Sequence, residues 1–258
     1  WDYVEKPEAF LEWASSIPKL FNPHSVLKWN ADKKYLLELA DAGVPIVPTV
    51  LVQPGQDCEF GDSGEFVIKP TVGIGALGVC RFDATFDQQR GLARVHAQQL
   101  LDAGLGVLVQ PYQRGIEMYG ETSLIYLGGS FSHAVKRSAV LDRALADVPE
   151  PKTSRIYSRN PLEAEFSLAD QVFTALYDRL KLQPSDLLYA RVDLVPGADG
   201  LPVLMELELI EPALFFGMDD HAADRFADLI QERLSVRGAR AVGRVPAPRT
   251  ASGAPIAV

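Results

Sequence analysis

Residues 187–212 read LLYARVDLVPGADGLPVLMELELIEP. Two apolar runs flank the turn signal Asp199-Gly200, which predicts a pair of antiparallel strands. Side chains alternate along a strand, so Tyr189, Arg191 and Asp193 share one face of the first. On the second, Glu206 and Glu208 share a face, with Met205, Leu207 and Leu209 opposite. A two-residue turn at Asp199-Gly200 sets Asp193 across from Glu206 and Arg191 across from Glu208, while Pro196 and Pro202 leave a longer loop open. Three carboxylates and a guanidinium between apolar strands carry a desolvation cost that needs compensation. Divalent metal compensates it, since Mg²⁺ takes one or two carboxylates together with substrate phosphates. The plainer alternative is a solvated sheet face on which Glu alternates with Leu.

Upstream, EFVIKP (65–70), the glycine-rich TVGIGALG (71–78) and VCRF (79–82) read strand, loop, strand. Gly73, Gly75 and Gly78 match GxGxxG literally. A dinucleotide fold requires a helix to begin inside that motif, because the pyrophosphate sits on its N-terminus. Here β-type residues follow instead. A protein kinase has a glycine flap between strands, but its phosphate-binding lysine comes on a later strand. In this chain Lys69 precedes the loop, and no HRD or DFG motif follows. What remains is a strand that presents Lys69 at its end, followed by a flap whose N–H groups can approach phosphate oxygens. An incidental surface hairpin is the competing reading. Lys69 with its flap suits phosphates and the acidic hairpin suits Mg²⁺, and MgATP requires both.

Around these segments, PEAFLEWASSI predicts a helix with Phe10, Leu11 and Ala14 on one side. WNADKKYLLELADAG predicts another, with Asn30 as its N-cap and Gly43 as its end. VPIVPTVLV is extended, 87–103 is an amphipathic helix, and GVLVQPY is a strand. TSLIYLGGSFSHAVKR folds as a hairpin at Gly128-Gly129. Residues 141–160 lack periodicity and predict a long loop. SLADQVFTALYDRLKL is a helix capped by Ser167, and a last helix runs from about Asp220 to Leu234. Strands and helices are mixed without βαβα alternation, so the fold class is α+β.

Composition narrows the function. At 258 residues the chain can bury a sizeable core, and a hydrophobic content of 47% with 23% charged residues excludes wholesale disorder. A net charge of −9 argues against duplex nucleic-acid binding, which needs Lys and Arg to displace counterions. Cys58 and Cys80 make no CxxC pair, disulfide framework or zinc site, and a reducing cytoplasm is the simplest setting. No apolar run approaches a membrane span, and no signal-peptide pattern is present. The chain opens on Trp1 in what reads as folded protein, so an upstream portion is expected.

The order of motifs over about residues 30–215 resembles the ATP-grasp superfamily: an early lysine, FVIKP with its flap, a hinge strand, then RVDLV…VLMELELIEP. The last element is similar to the R-x-D…E-x-N metal signature of glutathione synthetase and D-alanine–D-alanine ligase. WNADKKYLLELADAGVPIVPT, GETSLIYLGGSFSHAVKR and ELELIEPALFF resemble the branch that holds D-cycloserine synthetase-like and glutathione synthetase-like ligases. Glu208 stands where most relatives have Asn, and LIEP is one residue longer than the usual spacing to proline, so Glu211 stands as a sharer of that role.

The resemblance implies an ATP-grasp fold, in which two α+β subdomains hold ATP between them, and an upstream domain absent here. It implies a helical lead-in over 1–43, a lid subdomain over 44–112, a core subdomain over 113–240 and a tail over 241–258. Lys33 and Lys69 match the two nucleotide lysines, with Gly73, Gly75 and Gly78 in the flap. Gln110, Pro111 and Tyr112 match the adenine hinge, and Glu121 the ribose acid, with Glu117 as alternative. Lys136 matches a cation near the γ-phosphate, Arg191 the residue that steadies the transferring group, and Asp193, Glu206 and Glu208 the Mg²⁺ ligands. The implied activity is an ADP-forming ligation of a small-molecule carboxylate to an amine, with ATP and Mg²⁺ as cofactors and a homo-oligomer left open. The alternative is a nucleotide-binding module without ligase activity.

Overall fold

The computed structural model describes residues 2–139 and 155–242. Helices α1 (Pro7–Ser15), α2 (His24–Asn30) and α3 (Tyr35–Asp41) lead into strands β1 (Val50–Val52), β2 (Glu65–Pro70) and β3 (Cys80–Asp83). Helix α4 (Asp87–Asp102), strand β4 (Val107–Pro111) and the short α5 (Gly115–Tyr119) follow. The second half holds β5 (Glu121–Leu127), β6 (Ser130–Arg137), β7 (Ile156–Arg159), α6 (Glu163–Leu180), β8 (Tyr189–Pro196), β9 (Pro202–Glu208) and α7 (Ala222–Val242). Two antiparallel sheets result, ordered β1-β4-β2-β3 and β7-β6-β5-β8-β9. The fold is α+β, as the lack of βαβα alternation predicted.

In the first sheet, Ile68, Phe82 and Val107 pack against Ala93, Ala97 and Leu101 of α4. The second sheet has the larger core: Leu124, Val192, Leu204 and Leu207 pack against Leu168, Val172 and Leu176 of α6 and against Val26, Leu36 and Leu39 of α2 and α3. Helices α2 and α3 thus belong to the same core as the second sheet. Residues 45–47 also join its β9 edge, where Leu204 N donates to Pro45 O at 2.9 Å and Val47 N to Leu204 O at 3.0 Å.

Several local expectations change. Asn30 is not an N-cap; it ends α2, and residues 31–34 form a turn before α3. Its buried amide donates to Leu207 O at 2.8 Å and accepts from Leu209 N at 2.9 Å, satisfying β9 as a neighbouring strand would. Helix α6 starts at Glu163, so Ser167 lies inside it, and Glu165 reaches back to accept from Leu162 N at 2.7 Å. Within the expected 141–160 loop, 156–159 forms β7 on the β6 edge; its residues 141–154 lie outside the described residues. Helix α7 extends to Val242, past the expected end at Leu234 and into the expected tail.

Both hairpins around the future site contain a bulge. The Gly128-Gly129 turn pairs Leu127 with Ser130, and both glycines have positive φ, as a tight two-residue turn requires. Then Tyr126 pairs with Phe131 but Ile125 with His133, leaving Ser132 as an extra residue in β6. In β8–β9 the connection is longer than two residues, with Pro196 paired to Pro202. A compensating bulge at Met205 restores the expected pairs, Asp193 with Glu206 and Arg191 with Glu208.

Candidate active site

A cleft of about 470 Å³ lies between the two sheets. The first sheet supplies Val67 and Lys69, the flap supplies Gly73 and Gly75, and the β4 end supplies Gln110, Pro111 and Tyr112. The second sheet supplies Glu121, Arg137, Arg191, Asp193, Glu206 and Glu208, and the turn before α3 supplies Lys33. Of the residues expected here, Gly78 and Lys136 are not in the lining. Gly78 packs beside Pro70 at the flap's base, its carbonyl 2.9 Å from His96 Nε2.

Lys69 is buried, and its Nζ lies 2.8 Å from Glu206 Oε1, joining the two walls. Lys33 Nζ donates to Gly73 O at 2.6 Å, and Lys33 N donates to Thr71 O at 2.7 Å, so this lysine also anchors the flap. Burial pushes the Glu206 carboxyl up, but the Lys69 and Lys33 ammoniums outweigh it and bring its pKa down to about 2.

Asp193 is more enclosed than Glu121, Glu206 or Glu208. It accepts from Ser123 Oγ at 2.7 Å, from Arg137 Nη2 at 2.8 Å and from both Nε and Nη2 of Arg191 at 2.9 Å. Burial opposes its charge, yet Arg137 and Arg191 hold it ionised below the usual carboxylate range. Arg191 also pairs with Glu208 and donates to Ala213 O at 3.1 Å. Burial raises the Glu208 carboxyl; Arg191 opposes this, while repulsion from Asp193 and Glu206 adds to it. Glu121 pairs with Arg137 and is likewise raised by burial.

The cation from β6 is therefore Arg137 and not Lys136. An ideal two-residue hairpin sets Lys136 opposite Glu121, but the extra Ser132 shifts the ladder by one residue. Glu121 then pairs with Arg137, and Lys136 with Thr122. The bulge at Met205 has a second effect: Met205 faces the cleft beside Glu206, and Leu204 takes the expected core position. Glu117 is turned away from the cleft onto Arg81, whereas Glu121 lines it. Tyr3, Glu211 and Phe215 extend the lining at the acidic end. Neither Tyr3 nor Phe215 carries a role in the sequence: Tyr3 lies outside the quoted motifs, and Phe215 is an apolar residue near the end of ELELIEPALFF.

Among the described residues, no three carboxylate, imidazole or thiol groups form a ready metal cage. Arg191, Arg137 and Lys69 stand between the carboxylates instead. The donors nevertheless fit Mg²⁺: they are hard oxygens, and the mutual repulsion that raises Glu208 is what a divalent cation relieves. Among the described residues, no helix is long and apolar enough to cross a membrane.

A nucleotide-sized cleft with a lysine and glycine flap on one sheet and acidic residues on another is the arrangement of an ATP-dependent ligase. The sequence is 35% identical over 249 residues to the cycloserine biosynthesis protein DcsG of Streptomyces lavendulae, covering 91% of this chain and 81% of that protein. The crystal structure of D-cycloserine synthetase DcsG superposes with a TM-score of 0.80 at 34% identity, over 91% of this chain and 81% of that one. The chain belongs to the ATP-grasp ligases, in the family of D-cycloserine synthetase. The fold alone is shared with D-alanine–D-alanine ligase of Bacillus anthracis, at TM-score 0.60 and 18% identity, over 84% of this chain and 72% of that chain. It is also shared with the ATP-grasp ligase PsnB, at TM-score 0.54 and 20% identity, over 86% and 67% of the respective chains. No protein-family model matches the chain.

Proposed function

We propose that this ligase activates the carboxylate of a small amino-acid-like substrate by phosphoryl transfer from MgATP and joins it to an amine. The observation that carries the reading is the 2.8 Å contact of Lys69 Nζ with Glu206 Oε1, which puts the phosphate lysine and the acidic hairpin on facing walls of one cleft. Homology to a cycloserine biosynthesis protein supports a product among antibiotics or peptide-like metabolites.

In this reading Gln110, Pro111 and Tyr112 hold adenine, Glu121 holds the ribose, and Lys33, Lys69 and the Gly73–Gly75 flap hold the phosphates. Asp193, Glu206 and Glu208 hold Mg²⁺, which when bound neutralises the triphosphate and orients it. The substrate carboxylate attacks the γ-phosphorus, ADP leaves, and the amine then displaces phosphate from the acyl phosphate. Arg191 and Arg137 line the same wall and stabilise negative charge as it develops. The flap limits water, which would otherwise hydrolyse the acyl phosphate. Positioning and charge neutralisation suffice, so no side-chain nucleophile is needed.

The test is substrate-dependent ADP release across a panel of free amino acids, singly and in pairs. Activity with one member or pair is expected, and Lys69→Ala and Asp193→Ala should each abolish it. Wild-type turnover in either variant would refute these assignments.

A further inference from the structure

Behind the hinge lies a second charged cluster, outside the cleft. Arg81 of β3 is only 7% exposed, as is its partner Glu65 of β2 at 8%. Arg81 Nε and Nη2 donate to Glu65 Oε1 at 3.1 and 2.8 Å, and Nη1 donates to Glu117 Oε1 of α5 at 2.7 Å. Its guanidinium carbon stands 3.5 Å from the centroid of the Tyr112 ring. Arg114 Nη2 lies 2.8 Å from Glu65 Oε2, and Tyr112 N donates to Glu65 O at 2.8 Å. Burial disfavours the Arg81 charge, but Glu117 and Glu65 hold it firmly protonated.

Three of these partners, Tyr112, Arg114 and Glu117, come from the short segment that leaves β4 and enters the second sheet. The other side of that segment is fixed as well. A Cβ on Gly115 would lie 3.0 Å from Pro196 of β8, so α5 has no room to move toward the acidic hairpin. Between the two attachments, Tyr112, Gln113 and Ile116 line the cleft. A buried arginine–carboxylate pair adds little net stability over an apolar one, so stability alone is a weak reason for this cluster. What it does supply is geometry. A planar cation with a fixed fork of donors sets both the tilt of the Tyr112 ring and the position of α5.

We propose that Arg81 is a positioning residue for base recognition: it clamps Tyr112 and α5, and so fixes the width of the adenine end of the cleft. The inference rests on the nucleotide reading above and goes beyond it, because Arg81 itself does not line the cleft.

Calorimetric titration of the purified chain with MgADP and with MgGDP tests it. In Arg81→Met and Glu117→Gln, MgADP binding weakens about tenfold or more while MgGDP binding changes little, so the adenine preference falls by the same factor. The Glu117 side chain is 51% exposed, so Glu117→Gln should keep a melting temperature near that of the wild type and decides the matter if Arg81→Met fails to fold. A wild-type ADP/GDP ratio in the folded variants, or an equal loss of both nucleotides, would overturn the proposal and leave Arg81 a structural residue. If the wild-type chain binds neither nucleotide, the nucleotide reading fails and takes this inference with it.

Discussion

Glu206 meets Lys69 across the cleft, and its response to acid follows from that pairing. Its folded pKa of about 2 lies below the ordinary 4.5. A depressed carboxylate contributes stability that is present above the unfolded pKa and is lost as pH falls toward the folded one. The wild type should therefore lose on the order of 3 kcal/mol more stability than Glu206→Gln between about pH 5 and pH 2. Urea titrations at stepped pH read this directly, and parallel curves would show that the pair does not form in solution. The Asn30 side chain also joins distant parts of the chain, bonding Leu207 O and Leu209 N. Asn30→Leu leaves both backbone groups unpaired in an apolar setting, at a cost of about 2–4 kcal/mol. Equilibrium unfolding in urea measures that cost.

At the level of elements, the two bulges decide which side chains reach the cleft. Because the Ser132 bulge exchanges Lys136 for Arg137, the two residues should behave differently. Arg137→Met should lower turnover about a hundredfold, while Lys136→Met should stay within about twofold of wild type. Steady-state ADP release compares them, and the reverse order would mean that the β6 register is wrong. The β5–β6 turn has its own test. A Cβ on Gly129 would come within 2.7 Å of Pro184, and φ there is +84°. Gly129→Ala should destabilise the chain by about 1–3 kcal/mol, readable as a fall in the denaturation midpoint. The same elements show how far the sequence could be read. Period-two alternation and a glycine turn place strands and faces, so Asp193, Glu206 and Arg191 were legible as a group. The expected β8–β9 pairs formed through two departures that cancel, a longer turn and a bulge at Met205. In β6 a single bulge has nothing to cancel it, and it brings Arg137 to the cleft in place of Lys136, the residue that the family resemblance implies. Bulges carry no strong composition signal in a single sequence. Asn30 misled for a related reason: Asn suits a helix cap as well as a buried bridge, and only tertiary packing distinguishes them.

In the molecule as a whole, two antiparallel sheets face one cleft. Lys69, the glycine flap and the end of β4 line it from one side, and the acidic hairpin with its arginines from the other. Helices α2 and α3 share the core of the second sheet, so Lys33 between them is held against that body while its ammonium grips Gly73 of the flap. Lys69 belongs to the first sheet and Asp193 to the second, so their variants should fail in different ways. The most direct measurement is ATP affinity, with and without Mg²⁺, for the wild type, Lys69→Ala and Asp193→Ala. Lys69→Ala should weaken binding about tenfold to a hundredfold in both conditions, whereas Asp193→Ala should remove chiefly the increment that Mg²⁺ provides. Wild-type affinity in Lys69→Ala, together with an intact Mg²⁺ increment in Asp193→Ala, would contradict the account.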